Sequence, residues 1–298
     1  MVKLELDICI PYISVGINYL EKQIENFIHL SSGKNKFNFK VSYHTQEDLE
    51  ILKKSAIYEF ISETVFAEKC DKNVFYRNSV SHTNAINNLY SKCSSEVCIF
   101  TDYDIYFLLN NWDNEIIDIL YNNRCDLFGT PYRTEFVNIK NYTGQDMFAR
   151  HYQKCPNLSF FCFKLQKIKN YFPLKLTDFD EMAKLQNFTP FVIINTEELQ
   201  HTYQMDYGEI LWLDTGYEIP KIIYKHNIAY KSLEYSLTDL IHGGSSNKNG
   251  SPEFMLHNKK NFLVHYKKGT VKALRKNPSF DQFDQFDQFY HDIQTLIA

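Results

Sequence analysis

Glu96-Val97-Cys98-Ile99-Phe100-Thr101-Asp102-Tyr103-Asp104 is the stretch on which the reading of this chain turns. Val97 to Phe100 is a short apolar run that stops at polar residues, which reads as a buried strand. Asp102 and Asp104 stand at its carboxyl end, where open α/β sheets bind their ligands.

Working outward from that strand, the preceding chain alternates strand and helix patterns. Asp7 to Tyr12 reads as a buried strand running into a loop. Ile17, Leu20, Ile24, Phe27 and Ile28 then recur at helical spacing and define one buried face. Phe39 to Tyr43 alternates as a second strand, Glu47 to Lys54 reads as a short helix, and Tyr58 to Ile61 as a third strand. Ser79 is placed to cap a helix running to Lys92, with Ile86 and Leu89 inward. This rhythm predicts an α/β/α sandwich around a mostly parallel sheet. Pro11-Tyr12, His44-Thr45 and the Asp102–Asp104 segment all fall at strand ends on one edge.

The second half is less regular. Cys125 to Pro131, Ser159 to Lys164 and Pro190 to Asn195 read as strands, and Tyr132 to Pro156 as a polar, aromatic-rich loop. No linker divides the chain, so one domain is expected over residues 1–275, with halves at about 1–135 and 136–275, followed by a tail over 276–298. The tail repeats Phe280-Asp281-Gln282 through Phe289. A three-residue period drifts by about 60° per step around a helix, so its Phe residues form no clean stripe. Docking onto a protein surface is the plainer reading of this tail, and peripheral membrane contact the sharper one.

The bulk composition sets bounds. A chain of 298 residues with 44% hydrophobic and 23% charged residues is globular and buries a sizeable core. A net charge of -4 lacks the basic footprint of a nucleic-acid binder. The seven Cys are scattered without a Cys-x-x-Cys pair, so they read as reduced thiols of a cytoplasmic protein. No signal peptide or run of ~18 apolar residues is visible. No Gly-x-Gly-x-x-Gly follows the first strand, which sets aside a Rossmann dehydrogenase.

An Asp-x-Asp tripeptide alone is weak, since about one is expected by chance in such a chain. Asp178-Phe179-Asp180 is a second match, but it lacks a preceding buried strand and reads as a helix start. In extended chain, residues i and i+2 point to one side, so Asp102 and Asp104 can share a divalent cation. A cation held by carboxylates is what a departing diphosphate needs, because it offsets the charge that builds there.

Arg77-Asn78-Ser79-x-x-His82-x-Asn84, a short helix, and then Val97 to Asp104 resemble the GT-A nucleotide-sugar glycosyltransferases, the family 2 enzymes in particular. The resemblance spans roughly residues 5 to 135. It implies a GT-A fold and a donor activated by Mn2+ or Mg2+, a UDP-sugar being favoured. The acceptor would be a glycan or lipid-linked, in cell-surface polysaccharide or glycoconjugate synthesis. Pro11 and Tyr12 would hold the base, and Arg77, Asn78, His82 and Tyr103 would lie at the nucleotide. Phe262-Leu263-Val264-His265 looks like a late strand of several such families, which implies His265 as a third metal ligand. Lys267 or Lys268, the latter preferred, would meet a phosphate as a point charge. Asp214, followed by Thr215-Gly216, is the first candidate for the base of an inverting transfer and Glu209 the second. His242-Gly243-Gly244-Ser245-Ser246 would be a loop over the donor.

Two other classes compete. A sugar nucleotidyltransferase needs a Gly-rich loop for a triphosphate, and Pro11 to Asn18 holds only Gly16. A non-catalytic glycan- or nucleotide-binding protein would keep stacking aromatics, abundant here at 16%, without needing both Asp102 and Asp104.

Overall fold

A computed structural model of the chain describes residues 3–12, 16–69, 77–132, 137–140, 146–172, 191–212, 216–236, 253–266, 289–295 and 297. The strand–helix rhythm of the first third is present as β1 (Glu5–Pro11), α1 (Ile17–His29), β2 (Lys36–Tyr43), α2 (Gln46–Lys54), β3 (Ile61–Phe66), α3 (Arg77–Tyr90) and β4 (Val97–Thr101). Next come β5 (Ile105–Phe107), α4 (Trp112–Tyr121), β6 (Leu127–Pro131), β7 (Val137–Lys140), β8 (Asp146–Ala149) and β9 (Pro156–Lys164). Later strands are β10 (Phe191–Ile193), β11 (Ile210–Trp212), β12 (Tyr230–Ser232), β13 (Glu234–Tyr235), β14 (Glu253–His257) and β15 (Lys260–His265).

The central sheet has seven strands in the order β12-β6-β9-β4-β1-β2-β3. Its pairs are parallel except those of β9, which runs antiparallel between β4 and β6. Alternation within each strand sends residues to two cores. Leu6, Ile8, Ile10 and Ile99 pack with Leu20, Ile24 and Phe27 of α1 and Ile116 and Leu120 of α4. Cys9, Cys98 and Phe100 face the other way, towards Ile86 and Leu89 of α3 and Ile219 and Ile223 of a helix at Ile219–His226. The three-layer α/β/α arrangement expected from the rhythm is therefore present.

A second, antiparallel sheet, β13-β14-β15-β5, extends the first core. Trp112 fixes its junction with α1. The indole stacks on Phe107 with centroids 4.1 Å apart and donates its N–H to the Phe27 carbonyl at 2.9 Å. A buried Trp needs such a partner for its polar edge.

Three local expectations are corrected. Tyr58 to Phe60 belong to a 3-10 turn, Ala56–Phe60, because the Ser55 side chain caps it; the strand starts at Ile61. Ser79 is not the helix cap, since α3 already begins at Arg77. Tyr132 to Pro156 is not simply a loop, for β7 and β8 pair there as an antiparallel hairpin. Thr45, by contrast, lies at its strand end in a capping box for α2, bonded reciprocally with Asp48.

The end of the tail is built into the first core. Phe289, Tyr290 and Ile293 are buried, Phe289 against Tyr266 and Tyr290 edge-on to Tyr106. The Tyr290 hydroxyl donates to the Lys22 carbonyl at 3.3 Å. From Phe289 onward, these apolar side chains face the protein. Among the described residues no helix is long and apolar enough to cross a membrane.

Candidate metal centre at the junction of two sheets

β4 ends in the central sheet and β5 begins in the second sheet, so Asp102-Tyr103-Asp104 is the turn that joins them. It is a turn rather than the extended segment expected, yet both carboxylates still reach one place. Its backbone is pinned from three sides. The Asp102 N–H donates to the Ser159 carbonyl at 2.8 Å, next to β9's pairing with β4. The Tyr266 N–H donates to the Asp104 carbonyl at 2.8 Å. From α1, the Gln23 amide nitrogen donates to the carbonyls of Asp102 at 2.6 Å and Ile105 at 2.9 Å. Asn26, one turn on, gives its amide to the Phe107 carbonyl at 3.1 Å and takes the Phe107 N–H at 2.7 Å. Gln23 is fully buried and Asn26 nearly so. Gly16, at the entry to α1, lets the Tyr103 ring lie close: an added Cβ would stand 2.4 Å from it.

The second sheet delivers the third group. β15 pairs antiparallel with β5, opposing His265 to Ile105, the residue after Asp104. His265 Nε2 lies 3.3 Å from Asp104 Oδ1. Donor atoms of Asp102, Asp104 and His265 all lie within 4.8 Å of one another. Ligands of one small divalent cation, each at roughly 2.1 Å, stand about 3–4 Å apart, so small side-chain adjustments suffice. Asp102 is partly exposed, with 26% of its side chain accessible, and Asp104 is nearly sealed at 4%. The cluster is thus open on the Asp102 side.

The electrostatics suit a cation. Burial pushes the Asp104 carboxyl above its usual range, and the neighbouring His265 works against that push. Burial disfavours the charged His265 ring, but the Asp104, Glu253 and Asp102 carboxylates outweigh it, leaving its pKa above the ordinary 6.5. Two carboxylates and an imidazole are a donor set that Mn2+ accepts.

Glu253, at the start of β14, completes the arrangement from behind. Its Oε2 lies 3.7 Å from His265 Nδ1, and the side chain is only 4% exposed. A carboxylate facing the far nitrogen of a metal-binding imidazole fixes its tautomer and raises its basicity. Glu253→Gln is expected to weaken metal affinity by roughly 10- to 100-fold while leaving the fold intact. Titration of Mn2+ into both proteins checks this; equal affinities would reduce Glu253 to a packing role.

The other residues singled out in the sequence divide into three groups. His82, in the second turn of α3, is at the site, with Nε2 3.3 Å from Asp102 Oδ1. Pro11 ends β1, which pairs parallel with β4 as far as Cys9 opposite Phe100; Tyr12 follows and is buried. Tyr103 packs inward rather than into solvent. Arg77 and Asn78 open α3. Glu209 is engaged elsewhere: its carboxylate pairs with the Arg150 guanidinium and accepts the Asp206 N–H at 2.7 Å. His44 Nδ1 lies 2.8 Å from the Ala67 carbonyl. Asp214, Lys267, Lys268, the His242–Ser246 segment and Asp178–Asp180 lie outside the described residues. The helix that follows Asp214 in sequence begins at Ile219 with Glu218 as its N-cap.

Gln23, Asn26 and Glu253 were not anticipated. The available signal was polar side chains at i and i+3 within the apolar face of α1, and an acid opening the apolar run Phe254-Met255-Leu256.

No protein-family model and no curated protein matches the chain. Solved structures similar to it include a mannosyltransferase from Pyrobaculum calidifontis in complex with GDP-Man and Mn2+, at 12% identity and a TM-score of 0.39, over 74% of this chain and 61% of that one. Residues 1–349 of S. aureus TarS are similar at 12% identity and a TM-score of 0.34, over 56% and 49%. Mouse xyloside xylosyltransferase 1 in its apo form is similar at 11% identity and a TM-score of 0.41, over 78% and 86%. The chain spans 61% and 49% of the lengths of the first two.

Proposed function

We propose that this chain is a metal-dependent GT-A glycosyltransferase that moves a sugar from a nucleotide-diphosphate donor. The observation that carries the reading is the meeting of the donor atoms of Asp102, Asp104 and the sequence-distant His265 within 4.8 Å at the carboxyl edge of a mostly parallel sheet. Asp102, Asp104 and His265 would hold Mn2+ or Mg2+, and Glu253 would orient His265. A divalent cation there would offset the charge that builds on the leaving diphosphate. His82, level with the open side of the cluster, would contact the nucleotide, with Arg77, Asn78, Pro11 and Tyr12 around it and Lys268 at a phosphate. UDP is the favoured nucleotide, and a glycan or lipid-linked molecule the acceptor. A cytoplasmic enzyme working at the inner face of a membrane fits that acceptor class.

For an inverting transfer, Asp214 would take the acceptor hydroxyl's proton on the face opposite the diphosphate. Glu209, held by Arg150, is the weaker candidate. Asp214→Asn is expected to cut the chemical step by about 10²-fold with nucleotide affinity unchanged. Single-turnover kinetics with bound donor reads this. Full turnover in that variant, with loss in Glu209→Gln, would move the role to Glu209.

His265→Ala is expected to raise the Mn2+ concentration for half-maximal donor cleavage by at least tenfold. The same residue sets a pH dependence. Metal takes the neutral ring, so binding must expel the proton that His265 retains to a pH above its ordinary value. Affinity should therefore fall as pH drops through a window above that value and level off on the alkaline side. Mn2+ titrations across pH test it, and a flat profile would remove His265 from the ligand set.

A further inference from the structure

The opposite face of the central sheet holds a second cluster of reactive side chains. Cys9 on β1 and Cys98 on β4 are fully buried, and Cys93, in the segment after α3, is partly accessible. Cys9 Sγ and Cys93 Sγ are 3.4 Å apart across 84 residues of sequence. Oxygen and sulfur donors of Asp7, Cys93 and Cys98 lie within 4.8 Å of one another, which at first sight suggests a soft metal ion. The surroundings argue otherwise. Asp7 already accepts the N–H groups of Ser94 at 2.7 Å and Ser95 at 2.9 Å, the Ser95 hydroxyl at 2.8 Å and the Asn38 amide at 3.1 Å. Lys40 Nζ stands 3.8 Å from the same carboxylate, only 9% exposed, and a fixed cation there opposes a second one. Sulfur is the better placed anion: thiol contacts from Cys9 and Cys98, with Lys40 adding to them, hold the Cys93 thiol well below its usual range against burial and the Asp7 carboxylate.

We propose that Cys93 is a peroxide-sensitive thiol and that Cys9 is its resolving partner, the two forming a reversible disulfide that ties the segment after α3 to β1. The Cys93 thiolate attacks one oxygen of a hydroperoxide; the O–O bond breaks, the peroxide is reduced to water or an alcohol, and Cys93 becomes a sulfenic acid. Cys9 sulfur then attacks the Cys93 sulfur. The S–S bond forms, the S–O bond breaks, and the Cys9 proton leaves with the hydroxyl as water. Cys93 lies outside regular secondary structure, so its backbone can supply the approach that β1 cannot.

The test treats the reduced full chain with equimolar hydrogen peroxide, counts free thiols and maps peptides without reduction. The expected result is loss of two of the seven thiols, a Cys9–Cys93 linked peptide, and full recovery with dithiothreitol. Cys93→Ser should retain its six thiols, and Cys9→Ser should accumulate a dimedone-reactive sulfenic acid at Cys93. Mapping in the wild-type protein decides the matter even if a variant folds poorly. A Cys93–Cys98 link, a free Cys93 after oxidation, or sulfinic acid at Cys93 beside a free Cys9 would each overturn the proposal.

Discussion

Asp104→Ala is expected to abolish sugar transfer, by about 10³-fold or more, and to remove metal-dependent stabilisation altogether. Asp104 is the buried member of the cluster, and its carboxyl is 3.3 Å from His265, so its loss takes away a direct ligand and the counter-charge of another. Charge stabilisation by a metal at a leaving group contributes several kcal/mol, which sets the size of the effect. Two readouts separate this from unfolding. Without metal, Asp104→Ala should still unfold cooperatively, because the relief of a carboxylate that burial disfavours offsets the loss of its contact with His265. With Mn2+, the wild-type melting temperature should rise and that of the variant should not. Asp102→Ala should lose metal affinity and, because Asp102 is the exposed member facing His82, nucleotide affinity as well. Wild-type turnover of both variants in Mn2+ would remove the site from the chemistry.

Gln23→Leu is the second large effect, and it reaches the site from α1. The substitution keeps volume but takes the amide donor from the Ile105 carbonyl, and leaves the Asp102 carbonyl with the Thr101 hydroxyl at 3.0 Å, in a position closed to water. Each buried carbonyl left unpaired costs about 1–3 kcal/mol. With the Ile105 carbonyl left unpaired, a loss of roughly 1–3 kcal/mol is expected, or a melting temperature lower by roughly 2–8 °C for a chain of this size. Metal affinity should fall with it, since Gln23 holds the turn rather than the ion. Thermal unfolding and Mn2+ titration together read the prediction. Unchanged stability would mean that the Asp102–Asp104 turn is held by Ser159 and Tyr266 alone.

The two Asp residues were legible because a local pattern specifies them: an apolar run fixes β4, and β4 fixes where its carboxyl end lies. His265 was legible through the same logic, as the end of Phe262-Leu263-Val264, although only a resemblance to known enzymes tied it to the metal. The pairing that brings it in, β15 against β5, is a contact between residues far apart in sequence, which periodicity does not encode. Gln23 and Asn26 were hidden for a related reason. Their partners are backbone carbonyls and amides of β5 and the turn before it, more than seventy residues away, and no side-chain pattern marks such a partner. The pattern over Ser159 to Lys164 marks β9 as a strand, but its antiparallel direction depends on the chain crossing between β6 and β4. The tail is a different case. Its three-residue repeat draws the eye to Phe280 onward, whereas Phe289, Tyr290 and Ile293 at its end are buried in the first core.

A thermal-shift panel of nucleoside diphosphates, each with Mn2+ and with a chelator in its place, tests the central claim most directly. A ligand that binds only the native state stabilises it by an amount set by its concentration over its dissociation constant. The expected result is a rise for at least one nucleoside diphosphate, UDP first, that needs Mn2+ and vanishes in Asp104→Ala and His265→Ala. A nucleotide shift of the same size with chelator, or one that survives in both variants, would contradict a metal–diphosphate site at Asp102, Asp104 and His265.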